Sequence, residues 1–79
     1  MPIYLFIWTD ENVQHLADNG VTLEEFEQVV SDPDRVEPSR STGRPIAFGY
    51  TASGKYLACV YEPIDETTVY PITAYEVEP

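Results

Sequence analysis

Val21-Thr22-Leu23-Glu24-Glu25-Phe26-Glu27-Gln28-Val29-Val30-Ser31-Asp32-Pro33 carries a start, a buried stripe and a stop in one short run. Thr22 followed three residues later by Glu25 is a capping box: the hydroxyl accepts from a free backbone N–H of the first turn, and the carboxylate reaches back to the cap. Val21 and Phe26 occupy the flanking positions of a hydrophobic staple. Leu23, Phe26, Val29 and Val30 recur at helical spacing as an apolar stripe, while Glu24, Glu25, Glu27 and Gln28 form an acidic, solvated face. Pro33 pushes Asp32 out of helical conformation and ends the element. A helix with one apolar stripe needs another element to lie on.

Upstream, Thr9 can cap an earlier helix whose first turn holds Asp10 and Glu11, where the dipole favours negative charge. Val13, Leu16 and Ala17 give it a narrow stripe, and Gly20 suits the left-handed residue that ends it. Ahead of both helices, Ile3-Tyr4-Leu5-Phe6-Ile7-Trp8 is β-branched or aromatic almost throughout and predicts a strand. It is apolar on both faces, so either Ile3, Leu5 and Ile7 or Tyr4, Phe6 and Trp8 should meet the helices. The other set then needs a second cover, such as a loop or a neighbouring subunit.

Downstream, Asp34 to Gly43 holds Pro38, Ser39, Ser41 and Thr42 without apolar periodicity and reads as an exposed loop. Three strand-like segments follow, Pro45 to Thr51, Lys55 to Glu62 and Thr67 to Val77, joined by short turns. Pro71 cannot donate to a ladder, so the last strand should lie at an edge or bulge there. The expected fold is α+β, one domain over residues 1–79, with two helices on one face of a mostly antiparallel sheet in the order β-α-α-β-β-β.

The formal net charge of −10 opposes nonspecific adhesion to DNA or anionic lipid. All four cations, Arg35, Arg40, Arg44 and Lys55, fall between residues 35 and 61 against the single acid Glu37, a local balance of +3 beside −13 elsewhere. The lone Cys59 has apolar neighbours and reads as a buried strand thiol, consistent with a reducing cytoplasm. The opening apolar run is too short for a membrane span or a signal-peptide core, so no export is expected.

Trp8, Asp10, Asn12, His15, Gly20, Phe26, Val29, Asp32-Pro33, Gly43-Arg44, Gly49, Gly54, Leu57, Val60-Tyr61 and Ile72-Thr73-Ala74 together form a pattern that resembles the BrnT-like toxins of the RelE superfamily. The resemblance spans nearly the whole chain. It implies a bacterial type II toxin that cleaves RNA, a compact α+β fold with its helices on one sheet face, and a cognate antitoxin. Two features depart from the family pattern: Tyr75 stands where the family usually carries an arginine, and the chain stops at Pro79 in place of a basic C-terminal segment.

Metal-independent RNA cleavage needs a base for the ribose 2′-hydroxyl, a cation for the phosphorane and an acid for the leaving oxygen. His15, Arg44, Lys55 and Tyr75 are the catalytic candidates, with Arg35, Arg40 and Tyr61 as RNA-binding ones. Arg44 follows Gly43 at a strand entrance, where a guanidinium could grip phosphate. Each has a bland alternative: a solvated helix histidine, solubilising charges in turns, and tyrosines packed in a sheet. With one His and one Cys, no zinc spacing exists, and no cofactor is expected.

Two functions follow. One is a ribonuclease toxin whose local cationic patch binds RNA. The other is a noncatalytic acidic protein-interaction module that keeps the toxin-like fold and acts as a homodimer or on a small basic protein.

Overall fold

The computed structural model describes residues 4–78. In chain order the elements are β1 (Leu5–Phe6), α1 (Asp10–Asp18), α2 (Leu23–Ser31), β2 (Arg35–Pro38), β3 (Pro45–Tyr50), β4 (Tyr56–Pro63) and β5 (Thr68–Glu76). The strands form one sheet in the order β1-β5-β4-β3-β2. β2 through β5 are antiparallel neighbours, and β1 runs parallel to β5. The fold is therefore α+β as expected, with a mixed five-stranded sheet and both helices packed on one side of it.

Both helices are held at their N-termini by capping boxes. Glu25 N–H donates to Thr22 Oγ1 at 3.2 Å and Thr22 N–H to Glu25 Oε1 at 3.0 Å. At α1, Thr9 pairs in the same reciprocal way with Asn12. The end of α1 follows the Schellman pattern, with Gly20 at φ 77° and the Val21 and Gly20 N–H groups donating back to Leu16 and Ala17. Val21 and Leu16 then meet inside the core.

That core is asymmetric in size. Helix residues Leu16, Phe26, Val29 and Val30 supply its bulk, and the sheet offers mainly small side chains beneath them, Ala47, Cys59 and Ala74, with Leu57. The register sets Ala47, Cys59 and Ala74 side by side across three strands. Tyr4, Phe6 and Trp8 are the face of the first segment that packs against this core, while Leu5 stays 65% exposed on the other side. Ile3 lies outside the described residues.

Four expectations require correction. Residues 35–38 are a strand rather than a loop, because pairing with β3 supplies an order that no apolar alternation announces. The opening strand shrinks to Leu5–Phe6 because α1 takes over the edge of β5: Asn12 Nδ2 donates to the carbonyls of Ile7 (3.0 Å) and Pro71 (3.4 Å), and Asn19 Nδ2 to that of Ala74 (3.0 Å). In α1 the buried residues are Asn12 and Leu16, leaving Val13 half-buried and Ala17 exposed. The acidic side of α2 is also more than a solvated face. Glu27 Oε2 accepts from the Trp8 indole at 2.8 Å, and Gln28 Oε1 from the Ala52 N–H at 3.1 Å.

Pro71 sits at a bulge, as its missing donor requires: Val60 opposes Thr73 and Tyr61 opposes Pro71, so Ile72 is the extra residue on β5.

Candidate functional site

Three of the four cations meet carboxylates that the fold brings to them. Arg44 Nε lies 2.9 Å from Glu62 Oε2, joining the start of β3 to the far end of β4. Lys55 Nζ lies 3.3 Å from Glu25 Oε2 and donates to the Gly20 carbonyl at 3.0 Å, tying the β3–β4 turn to the junction between the helices. Arg35 pairs with Glu37 two residues along the same edge strand. Arg40, at the tip of the β2–β3 connection, has no ion pair among the described residues. Glu25 and Glu62 both lie outside the sequence window that balanced to +3, so the local positive excess falls to +1, the charge of Arg40, once the chain folds.

Burial opposes the charge of Glu25, but the Thr22 N–H and the Lys55 ammonium outweigh it and hold this carboxyl below its usual range.

The catalytic candidates do not converge. Arg44 and Lys55 stand beyond opposite ends of the six-residue β3, about 20 Å apart at the usual rise of an extended strand. His15 is exposed on α1, where it lines an open cleft of about 230 Å3 with Glu11, Asn12, Tyr70, Pro71 and Ile72. Tyr75 belongs to the helix-free side of the sheet, 42% exposed and opposite Ala58. Tyr61 instead packs against the core on the helix side, and burial raises its phenol pKa. The base, cation and acid that cleavage requires within reach of one phosphate are thus distributed over separate parts of the surface.

Cys59 is fully buried at the sheet centre, and desolvation pushes its thiol up to about 12, with the charge of Glu25 adding to the effect. A thiol held protonated in this way is a packing group and a poor nucleophile. Among the described residues no three His, Cys, Asp or Glu side chains gather as a metal site would need, and no helix is long and apolar enough to cross a membrane.

The candidates touched the helix-free face of the sheet only at Tyr75 and Arg35 and left out the rings between them. Side chains alternate along a strand, so with Ala47, Leu57, Cys59 and Ala74 turned to the helices, Phe48, Tyr56, Ala58 and Tyr75 turn the other way. Tyr50 and Tyr56 lie directly opposite each other with ring centroids 4.7 Å apart, and Phe48 stacks on Tyr56 at 6.4 Å. The Arg35 guanidinium covers the Phe48 ring, its carbon 4.4 Å from the centroid. Tyr56 donates its hydroxyl to Asp34 Oδ2 at 3.2 Å. Desolvation raises the Tyr56 phenol pKa against the opposing charge of Arg35, and the bond to Asp34 adds to the rise. The signal in the sequence was the two-residue spacing of Phe48 and Tyr50 with Tyr56 just past the turn, which places three rings on one face.

No protein-family model matches the chain, and no curated protein or solved structure matches it either.

Proposed function

We propose that the protein is a noncatalytic acidic interaction module that binds a small basic protein. The observation that carries this reading is the ion pairing of Arg35, Arg44 and Lys55 with Glu37, Glu62 and Glu25. With fourteen acids and four basic residues in the chain, these pairs leave a surface whose remaining charge is overwhelmingly negative. Such a field draws in cationic partners and repels polyphosphates. A basic protein suits it better than a second copy of the chain, since two subunits of charge −10 repel each other.

The ribonuclease toxin suggested by the family resemblance makes the opposite demand, because phosphate binding requires cations available to displace counterions. Inducible expression in a bacterial host separates the two, with soluble protein confirmed by fractionation. An interaction module leaves growth and total RNA intact. Growth arrest with fragmented RNA, relieved by Arg44→Ala, would overturn this proposal and establish the toxin.

A further inference from the structure

We infer that the helix-free face of the sheet is where the basic partner docks, and that it seats the partner's arginine side chains on the rings of Phe48, Tyr50 and Tyr75, with the buried Tyr56 ring as their support. This placement rests on the partner-binding function proposed above and adds to it both a surface and a residue type.

The chain already seats one guanidinium there. Arg35 lies over Phe48 at 4.4 Å, the geometry in which the negative face of a ring attracts a cation. Arginine does this better than lysine because its planar, weakly hydrated head can stack while still donating sideways. Carboxylates stand where such donors would point. Glu37 takes the Arg35 head, and Asp34 accepts from the Tyr56 hydroxyl with lone pairs to spare.

Three of the rings are in contact, and Tyr75 stands on the same face across the small, buried Ala58. Tyr50 opposes Tyr56, Phe48 stacks on Tyr56, and Tyr75 lies one strand beyond Ala58, two strand spacings or about 10 Å from Phe48. Tyr50 is 58% and Tyr75 42% exposed, and both helices lie on the opposite side of the sheet. Exposed aromatic sheets can also stack nucleic-acid bases. Here the charge decides: each base would bring a phosphate into the field of a −10 protein whose nearest cation, Arg35, is already paired.

Arg35 therefore acts as a resident ligand that competes with the incoming arginine. This reverses the usual expectation for an arginine in a binding surface, since removing it should strengthen binding. The loss of one positive charge would also favour a cationic partner in a general way. Arg40→Ala makes the same charge change at the loop tip, away from the rings, and serves as the control.

The test is an NMR titration of the full chain with three probes: a short peptide alternating arginine and serine, its lysine-for-arginine counterpart, and a single-stranded oligouridylate of similar length. The expected result is that ring signals of Tyr50 and Tyr75 shift with the arginine peptide, and less with the lysine peptide. Tyr50→Ala and Tyr75→Ala should each weaken binding by about 2- to 5-fold, the worth of one exposed cation–π contact. Arg35→Ala should tighten it beyond the change produced by Arg40→Ala.

Shifts confined to Val13, Ala17 and Leu23 on the helices would overturn the placement while leaving the basic-partner function intact. Binding of the oligouridylate, weakened by Arg35→Ala, would overturn both. No shift with the arginine peptide at millimolar concentration would overturn the placement.

Discussion

The two faces of one sheet follow opposite rules. On the helix side, Ala47, Gly49, Cys59 and Ala74 keep the strands low so that Phe26, Leu16 and Val29 can descend onto them. At Gly49 the space is already filled: a Cβ there would stand 3.4 Å from both Val29 Cγ1 and the Asp34 backbone nitrogen. On the open side the same strands carry rings that pack sideways on one another: Tyr56 is buried between its neighbours, while Phe48 stays partly and Tyr50 largely exposed. The first arrangement stabilises by excluding water from every partner. The second leaves apolar area in solvent, and its energetic return comes only when something covers it.

The largest effect should come from Phe26→Ala. Phe26 is fully buried and meets the edges of Phe6 and Trp8 at 6.2 and 5.5 Å between centroids. Deleting it should cost about 3–5 kcal/mol, much of what a domain of this size has to spare. Tyr50→Ala, which removes a ring of similar size from the open face, should cost under about 1 kcal/mol. Urea unfolding followed by Trp8 fluorescence measures both, and similar losses would erase the distinction between the faces.

A second contrast is chemical. With its thiol pushed up to about 12, Cys59 should react with a thiol-specific reagent at neutral pH about a thousandfold more slowly than an ordinary exposed cysteine, until the chain unfolds. Rapid labelling of the native protein would mean that the helix-covered side opens readily.

Smaller effects belong to the seam where α2 meets the sheet. Thr22→Ala should cost about 1 kcal/mol by breaking the capping box. Glu25, whose pKa is depressed in the folded state, contributes stability that is present above its unfolded pKa and is lost as pH falls through the lower folded value. Glu25→Gln should therefore flatten the acid limb of a stability-versus-pH curve in the carboxylate range. An unchanged limb would show that the Lys55 bridge and cap do not favour the ionised form.

The same seam shows what could be read in advance. Thr22 and Glu25 stand three residues apart, so their capping box is a local fact visible in the string. Thr9 and Asn12 have the same spacing, but asparagine is a less familiar partner, and its second task of plugging the β5 edge depends on residue 71. β2 was illegible for a related reason: Arg35-Val36-Glu37-Pro38 has no buried face, and only Phe48, Ala47, Ile46 and Pro45 across the ladder make it a strand.

The candidate site suffered most from distance. Charge counted along a window cannot see Glu62 arriving beside Arg44 from eighteen residues away, or Glu25 beside Lys55 from thirty. The aromatic face was legible only as alternation, since nothing in Phe48, Tyr50 or Tyr56 states which side the helices will cover.

The smallest effect should be that of Arg44→Ala. Its bridge to Glu62 is charge-assisted, yet the two side chains are 41% and 46% exposed, so water and salt compete for both ends. Its removal should change stability by less than about 0.5 kcal/mol, and the change should shrink further in high salt. The same substitution releases Glu62, making the surface more negative by one charge where the pair had been neutral. If the molecule works by attracting cations, Arg44→Ala should leave the fold unaltered and bind the arginine peptide more tightly at low salt. A loss of peptide binding with unchanged stability would instead mark Arg44 as a group that recognises anions, and the contrast between a structural face and a cation-seeking one would fail at its basic margin.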